Sequence, residues 1–306
     1  MSPGRERRMV PDATPQSYYG RPILKAPVWK PHVPVYFFTG GLAGASSVLA
    51  FGARMTGNPR LARAALLAAA AGLLPSPVLL IDDLGRPERF YNMLRVFKPT
   101  SPLSVGSWLL VGFGPAAVGA AACDVLGVLP RAGRTAEAVA ALLGPFIATY
   151  TAVLLADTAV PAWHDARREL PFVFAASATA SAGAAAAMLT PVADARPARR
   201  FTLGGAVVSL FALEVMQRRR GVTMAPYRSG RAGRLSAWAR ALTATGATVT
   251  AVLGRRQRRA AVFGGAAVLA GALCERFAVV RAGSQSAQDP AYTVGGQLTR
   301  AGDAPG

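Results

Sequence analysis

The chain has 306 residues, 52% of them hydrophobic and 16% charged, and a formal net charge of +19. That charge suggests nucleic acid, but the arginines lie in breaks between long apolar runs rather than on a soluble basic face, which excludes the class. A cubane iron–sulfur cluster needs about four thiolates, and this chain has only Cys123 and Cys274, near opposite faces of the predicted membrane domain.

Residues 1–32 read as an extended, polar, proline-rich tail without the apolar core of a cleavable signal. Within it Tyr18, Tyr19 and Trp29 are placed to pack against a partner or the membrane surface. Apolar runs follow at 33–55, 61–81, 104–128, 138–156, 170–190, 201–217, 235–253 and 260–280. Each is close to the ~20 residues needed to cross a hydrocarbon core. The sixth is short, and the seventh is diluted by Ala, Thr and Gly. These runs predict an all-α polytopic membrane protein of about eight transmembrane helices, falling into two four-helix bundles. The transmembrane domain spans 33–280, and residues 281–306 read as a flexible carboxyl-terminal tail. Small residues such as Gly40, Gly41 and Gly44, or Ser181, Gly183 and Ala187, predict close helix–helix approach.

The most specific connection is 80–108, LIDDLGRPERFYNMLRVFKPTSPLSVGSW. Before it, Pro75 and Pro77 free the carbonyls of Ala71 and Leu73, which predicts either a simple kink or a kink with a water- or ligand-accessible pocket beneath the turn at 82–87. After the turn, Phe90, Met93, Leu94 and Phe97 repeat at i, i+3, i+4, i+7, opposite Arg89, Asn92, Arg95 and Lys98. That spacing predicts an amphipathic helix lying along the membrane. Ser101 then reads as an N-cap with Pro102 at the first helical position.

Polar groups collect on one side. Of 15 acidic residues, only Asp124, Glu137 and Asp194 fall away from the termini. Asp82, Asp83, Asp157, Glu214 and Glu275 are expected near terminus-side helix ends, as are both histidines, His32 and His164. That position denies the histidines to a haem inside the bundle. Asp83 and Arg86 are expected to pair and fix the turn. Glu214 is expected to pair with Arg218 at i, i+4. Tyr150 and Asp157 share a helix face, and the Tyr150 hydroxyl needs a partner inside the membrane. Lys and Arg are denser on the terminus side, which by the positive-inside rule places both termini in the cytoplasm. With no Walker loop, metalloprotease helix or dinucleotide fingerprint in a suitable context, the chain is read as carrying no redox centre of its own.

The runs at 29–46 (WKPHVPVYFFTGGLAGAS), 83–108, 150–163 (YTAVLLADTAVPAW) and 170–183 (LPFVFAASATASAG) resemble the NrfD family, the membrane subunits of polysulfide-reductase-type enzymes. The resemblance covers about residues 18–190 and is strongest at 83–108. It implies an eight-helix subunit of the cell membrane, without haem or iron–sulfur cluster of its own. Such a subunit anchors an iron–sulfur protein and exchanges electrons with a quinone, menaquinone or ubiquinone. The catalytic partner it implies is often a molybdopterin enzyme, such as a formate dehydrogenase or polysulfide reductase. The family's fourth-span tyrosine belongs to the quinone site and matches Tyr150. Asp83, Arg86 and Pro87 match the loop motif beside that pocket.

The residues fit that role independently, since a protein without a redox centre supports electron transfer by positioning a carrier against a partner's centre. Tyr150, Asp83, Arg86, Asp157 and His164 are the candidate quinone-binding or proton-relay residues. Arg89, Arg95 and Lys98 are the candidate docking residues. Two readings compete. A secondary transporter would show midplane carboxylates and paired helix breaks, whereas the acids here are expected at helix ends. A passive anchor would have no quinone site at all.

Overall fold

The structure, a computed structural model, describes residues 22–25, 27, 29–83, 86, 88–218 and 221–294, with Phe90 described by its backbone only. Among these residues the protein is helical: α1 (His32–Met55), α2 (Pro59–Leu73), α3 (Pro75–Asp83), α4 (Arg89–Met93), α5 (Pro102–Leu126), α6 (Pro130–Ala156), α7 (Pro161–Asp165), α8 (Leu170–Leu189), α9 (Arg196–Arg218), α10 (Gly230–Val252) and α11 (Arg258–Gln288). Starts follow local chemistry. Asn58 caps α2 by accepting from the Leu61 N–H, with Pro59 at the first position. Ser101 caps α5 by accepting from the Ser104 N–H, with Pro102 next, as its sequence predicts. Gly127, in the left-handed region, closes α5.

Two closed rings of helices form. In the first, α1 packs on α2 and α6, and α5 packs on the same two. In the second, α8, α9, α10 and α11 each touch the next, and α11 returns to α8. The rings meet where α8 lies against α1, α2 and α6, and α11 against α1. This is the expected pair of four-helix bundles. At the seam of the first ring, Gly44 of α1 and Gly144 of α6 face each other so closely that a Cβ on either would run into the other's carbonyl oxygen. Backbones approach that far only where both residues are small.

Counting α2 and α3 as one broken span, six helices are long and apolar enough to cross a membrane: α1, α2–α3, α5, α6, α8 and α11. Helices α9 and α10 have the length, 23 residues each, but not the apolar composition. Their polar side chains turn toward each other instead. Gln217 donates to Ser236 at 2.7 Å, and Arg240 reaches Gln217 at 3.2 Å and Glu214 at 3.4 Å. Glu214 also takes the expected pair with Arg218, at 2.7 Å.

Three expectations need correction. The membrane-surface helix is only α4, five residues long, with Leu94 and Arg95 in a turn. Lys98 precedes Pro99, which disfavours helical backbone there, and the chain instead folds back so that the Lys98 N–H donates to Ser104 Oγ at 3.0 Å. The last helix passes the expected boundary at 280 and runs to Gln288, burying Ala282, Gly283, Ser286 and Ala287. Consequently Glu275 and Arg276 lie inside a 31-residue helix rather than near its end, both buried.

Candidate functional site

The break between α2 and α3 is stabilised by hydroxyls. Ser76, fully buried, donates to the Gly72 carbonyl at 3.0 Å and lies 3.0 Å from Thr39 Oγ1 on α1. A cavity of about 180 Å³ lies inside the first bundle beside α3, which matches the second of the two readings of the prolines. Its wall is mostly apolar: Trp29, Val33, Phe37, Leu79, Leu80 and Leu103, with Tyr36, Asp83, Ser107 and Tyr150 as polar exceptions.

Tyr150 also lines a second, more open cavity of about 740 Å³ on the outer side of α5 and α6. There it meets Val105, Leu109 and Phe146, with Asp157, His164, Arg167 and Arg168 at the polar end. Tyr150 is thus the partition between an interior pocket and an outer groove. Its ring is admitted by Gly106 of α5, where a Cβ would overlap the ring. Among the described residues the Tyr150 and Tyr36 hydroxyls have no hydrogen-bond partner, although the two side chains are 9% and 6% exposed. Neither hydroxyl oxygen is among the fully enclosed atoms left without a partner, so each faces open space and is available to a ligand.

The pocket mouth is closed by the segment before α1. Lys30 Nζ contacts Asp82 Oδ2 at 3.0 Å and the Asp82 carbonyl at 2.9 Å, and His32 Nδ1 lies 2.7 Å from the same carboxylate. The Lys30 N–H donates to Asp83 Oδ1 at 3.3 Å. This clamp sets Trp29 over the cavity, stacked on Trp163 at 5.0 Å and edge-on to Phe37 at 6.2 Å. The groove end is fixed from the second bundle. Trp163 Nε1 donates to the Val279 carbonyl at 2.7 Å, and the Tyr227 hydroxyl donates to the Ala162 carbonyl at 3.3 Å. Burial pushes the Tyr227 phenol above the usual tyrosine range, which keeps it a donor. Helix α7 is thereby pinned, and His164 is held at the groove with Nδ1 3.3 Å from the Ala156 carbonyl.

The sequence-predicted residues divide around Tyr150. Asp83 lines the interior pocket, whereas Asp157 and His164 line the groove. Arg86 is exposed and lines neither. The expected Asp83–Arg86 pair does not form among the described residues, because Asp83 is turned toward Lys30. Pro87 lies outside the described residues, as do Tyr18 and Tyr19. Arg89, Arg95 and Lys98 are all exposed on the terminus side. Sequence reasoning missed Tyr36, Ser107 and the Lys30–His32–Asp82 clamp. The stripe Trp29, Val33, Tyr36, Phe37 has helical spacing and was a usable signal for the pocket wall. No local pattern announces the clamp.

The opposite face is built differently. Arg54 reaches Glu137 at 2.5 Å and Asp124 at 2.9 Å, Arg63 holds Asp124 at 2.8 Å, and Arg60 holds Asp194 at 3.0 Å. In the protein's interior, Arg276 pairs with Glu275, donates to the Phe174 carbonyl at 3.1 Å and stacks over the Phe174 ring at 3.7 Å. Glu275 also accepts from Ser209 at 3.1 Å.

A family model described as polysulphide reductase, NrfD, matches residues 23–287. No match is found among curated proteins. The match spans most of the chain, including the second bundle, where the sequence resemblance alone stopped near residue 190. The chain belongs to the NrfD family.

Proposed function

We propose that this NrfD-family chain is the membrane subunit through which an oxidoreductase complex exchanges electrons with a quinone, whose ring is held in the interior pocket against Tyr150. Membership of the family implies a membrane subunit of a quinone-linked oxidoreductase. The observation that carries the reading to this site is the partition: one buried tyrosine, its hydroxyl unpartnered, between an apolar pocket and a groove bordered by Asp157 and His164.

The residues suit such a ligand. A quinone ring needs an apolar slot and a few convergent donors, and Trp29, Phe37, Leu79 and Leu80 provide the slot. Bound there, the quinone would supply two-electron, two-proton chemistry. Tyr150 and Tyr36 would donate to its carbonyl oxygens, which resolves both unpartnered hydroxyls. Asp83 would sit at the pocket mouth, and Asp157 with His164 would carry protons between the far side of Tyr150 and water. Trp29 and the clamp would exclude water from the pocket. The candidate partners are an iron–sulfur subunit and a molybdopterin-containing catalytic subunit, docking on Arg89, Arg95 and Lys98, with the termini in the cytoplasm.

The buried Glu275 supplies one mark of a transporter. Its pairing with Arg276 and Ser209 neutralises it within the helix packing, which favours a structural role. Replacing Tyr150 by Phe removes the hydroxyl and keeps the partition. In the assembled complex, quinone-linked turnover is expected to fall about a hundredfold, while turnover with a soluble acceptor and the subunit composition stay unchanged. Unchanged quinone turnover would exclude Tyr150 from the site. A complex active with soluble acceptors that never reduces or oxidises quinone, even unmutated, would identify a passive anchor.

A further inference from the structure

At the membrane face away from the termini, the start of α9 and the end of α10 enclose a crevice of about 340 Å³ lined by Arg196, Arg199, Arg200, Leu203, Ala251 and Arg255. Four guanidinium groups share one small space, and among the described residues none of them has an acidic partner. The nearest acid along the chain, Asp194, is taken by Arg60 at 3.0 Å. Arg199 is half-buried, and its only protein acceptor among the described residues is the Val192 carbonyl, at 3.0 Å from Nη1. Like charges this close repel, and each leaves donor positions unfilled. Elsewhere on the same face Arg54, Arg60 and Arg63 are matched to carboxylates. Arg131, Arg134, Arg256, Arg258 and Arg259 are exposed with no ion pair among the described residues, and only at the crevice do four gather around one cavity.

We propose that this crevice is a binding site for a phosphate group, carried by an anionic phospholipid of the surrounding leaflet. Arginine forks match phosphate oxygens in pairs, and headgroup phosphates line both faces of a bilayer. The apolar surroundings select a lipid over free phosphate. Leu203 and Ala251 complete the lining, and Val207 on α9 with Val252 and Leu253 at the end of α10, 55–59% accessible, offer a surface for acyl chains. Such a lipid would tie α9 to α10, the two helices whose composition is least suited to lipid contact.

The test uses the full chain reconstituted in nanodiscs, with thermal unfolding and native mass spectrometry as readouts, neither of which depends on electron transfer. Bilayers of phosphatidylcholine alone are compared with bilayers containing phosphatidylglycerol or the diphosphatidyl lipid, and detergent samples are titrated with inorganic phosphate. The anionic lipids are expected to raise the unfolding temperature and to stay bound in native spectra. In the double variant Arg199→Gln, Arg255→Gln the lipid affinity is expected to fall about fivefold for each arginine removed. Removing the same charge from the other face, with Arg228→Gln and Arg231→Gln, is expected to leave lipid binding intact. Stabilisation by inorganic phosphate as strong as that by the lipids would overturn the lipid assignment and leave a free-anion site. Equal behaviour in all bilayers, or equal losses in both double variants, would overturn the site. If the double variant fails to fold, the single Arg200→Gln, on an exposed side chain, is expected to show the fivefold loss, and no loss overturns the proposal.

Discussion

On the face away from the termini, Arg54 of α1 reaches Asp124 on α5 and Glu137 on α6, and Arg63 closes on Asp124 from α2. On the terminus face, Asp157 and His164 border a groove, and Arg89, Arg95 and Lys98 stand in solvent. The same residue types do opposite things. In the first bundle, charges locked between helices set the geometry of one end, while charges left open at the other end stay available to ligands and partners. Carboxylates are paired at both faces; what differs is reach, since Arg54 and Arg63 tie the helices of one bundle together, whereas Lys30–Asp82 and Glu214–Arg218 lie exposed at the rim.

The largest expected effect breaks the locked end. Glu137 is 3% exposed and depends on Arg54 for its charge. Arg54→Met strands it, and a buried carboxylate deprived of its partner destabilises a fold by about 3–5 kcal/mol. Unfolding of the purified chain in detergent should show that loss, and the double variant Arg54→Met, Glu137→Met should recover most of it. A stable single variant would mean that the network is not locked, and the contrast between the faces would disappear.

Next in size is Gly106→Ala, which tests the open end from within. The added Cβ overlaps the Tyr150 ring, and overpacking of this kind costs about 1–3 kcal/mol. Because the ring is displaced from the partition, quinone-linked turnover should fall in the assembled complex by more than the stability loss explains. Retained turnover would mean that the position of Tyr150 is not critical.

A smaller effect is expected from Asp82→Asn. The Lys30–Asp82 pair is about half exposed on both sides, so water screens it and it contributes little to stability. Global stability should hardly change. Amide exchange at Lys30, whose N–H is held by Asp83, should nevertheless accelerate as the clamp loosens. Unaltered exchange would show that Trp29 is seated by stacking on Trp163 alone.

How far the sequence reached follows from the range of each signal. The cap at Ser101, the Glu214–Arg218 pair and the break at Pro75 are local, and local periodicity or turn chemistry is enough to read them. The Gly44–Gly144 contact was half legible, since small residues announce a close approach without naming the neighbour. The depth of Glu275 and Arg276 was misread because the helix runs on to Gln288 through Arg281, Ser284 and Gln285, residues whose polarity looks like a span end. The Asp83–Arg86 pair failed for the complementary reason. Two residues three apart are plausible partners, but Lys30, 53 positions away, reaches Asp83 first.

The smallest effect on stability should accompany a large effect on assembly. Arg89, Arg95 and Lys98 are exposed and form no ion pair among the described residues, so changing all three to Gln should shift unfolding by no more than about 0.5 kcal/mol per site. If they receive the partner subunit, the same change should weaken association, and most of the loss should appear in the association rate and in its dependence on salt. Binding of the iron–sulfur subunit to the reconstituted chain, followed at low and high ionic strength, separates these outcomes. A loss seen only at low salt assigns the segment to electrostatic steering. No loss at either salt would move the docking surface elsewhere on the terminus face, to the groove end where Arg167 and Arg168 lie beside His164.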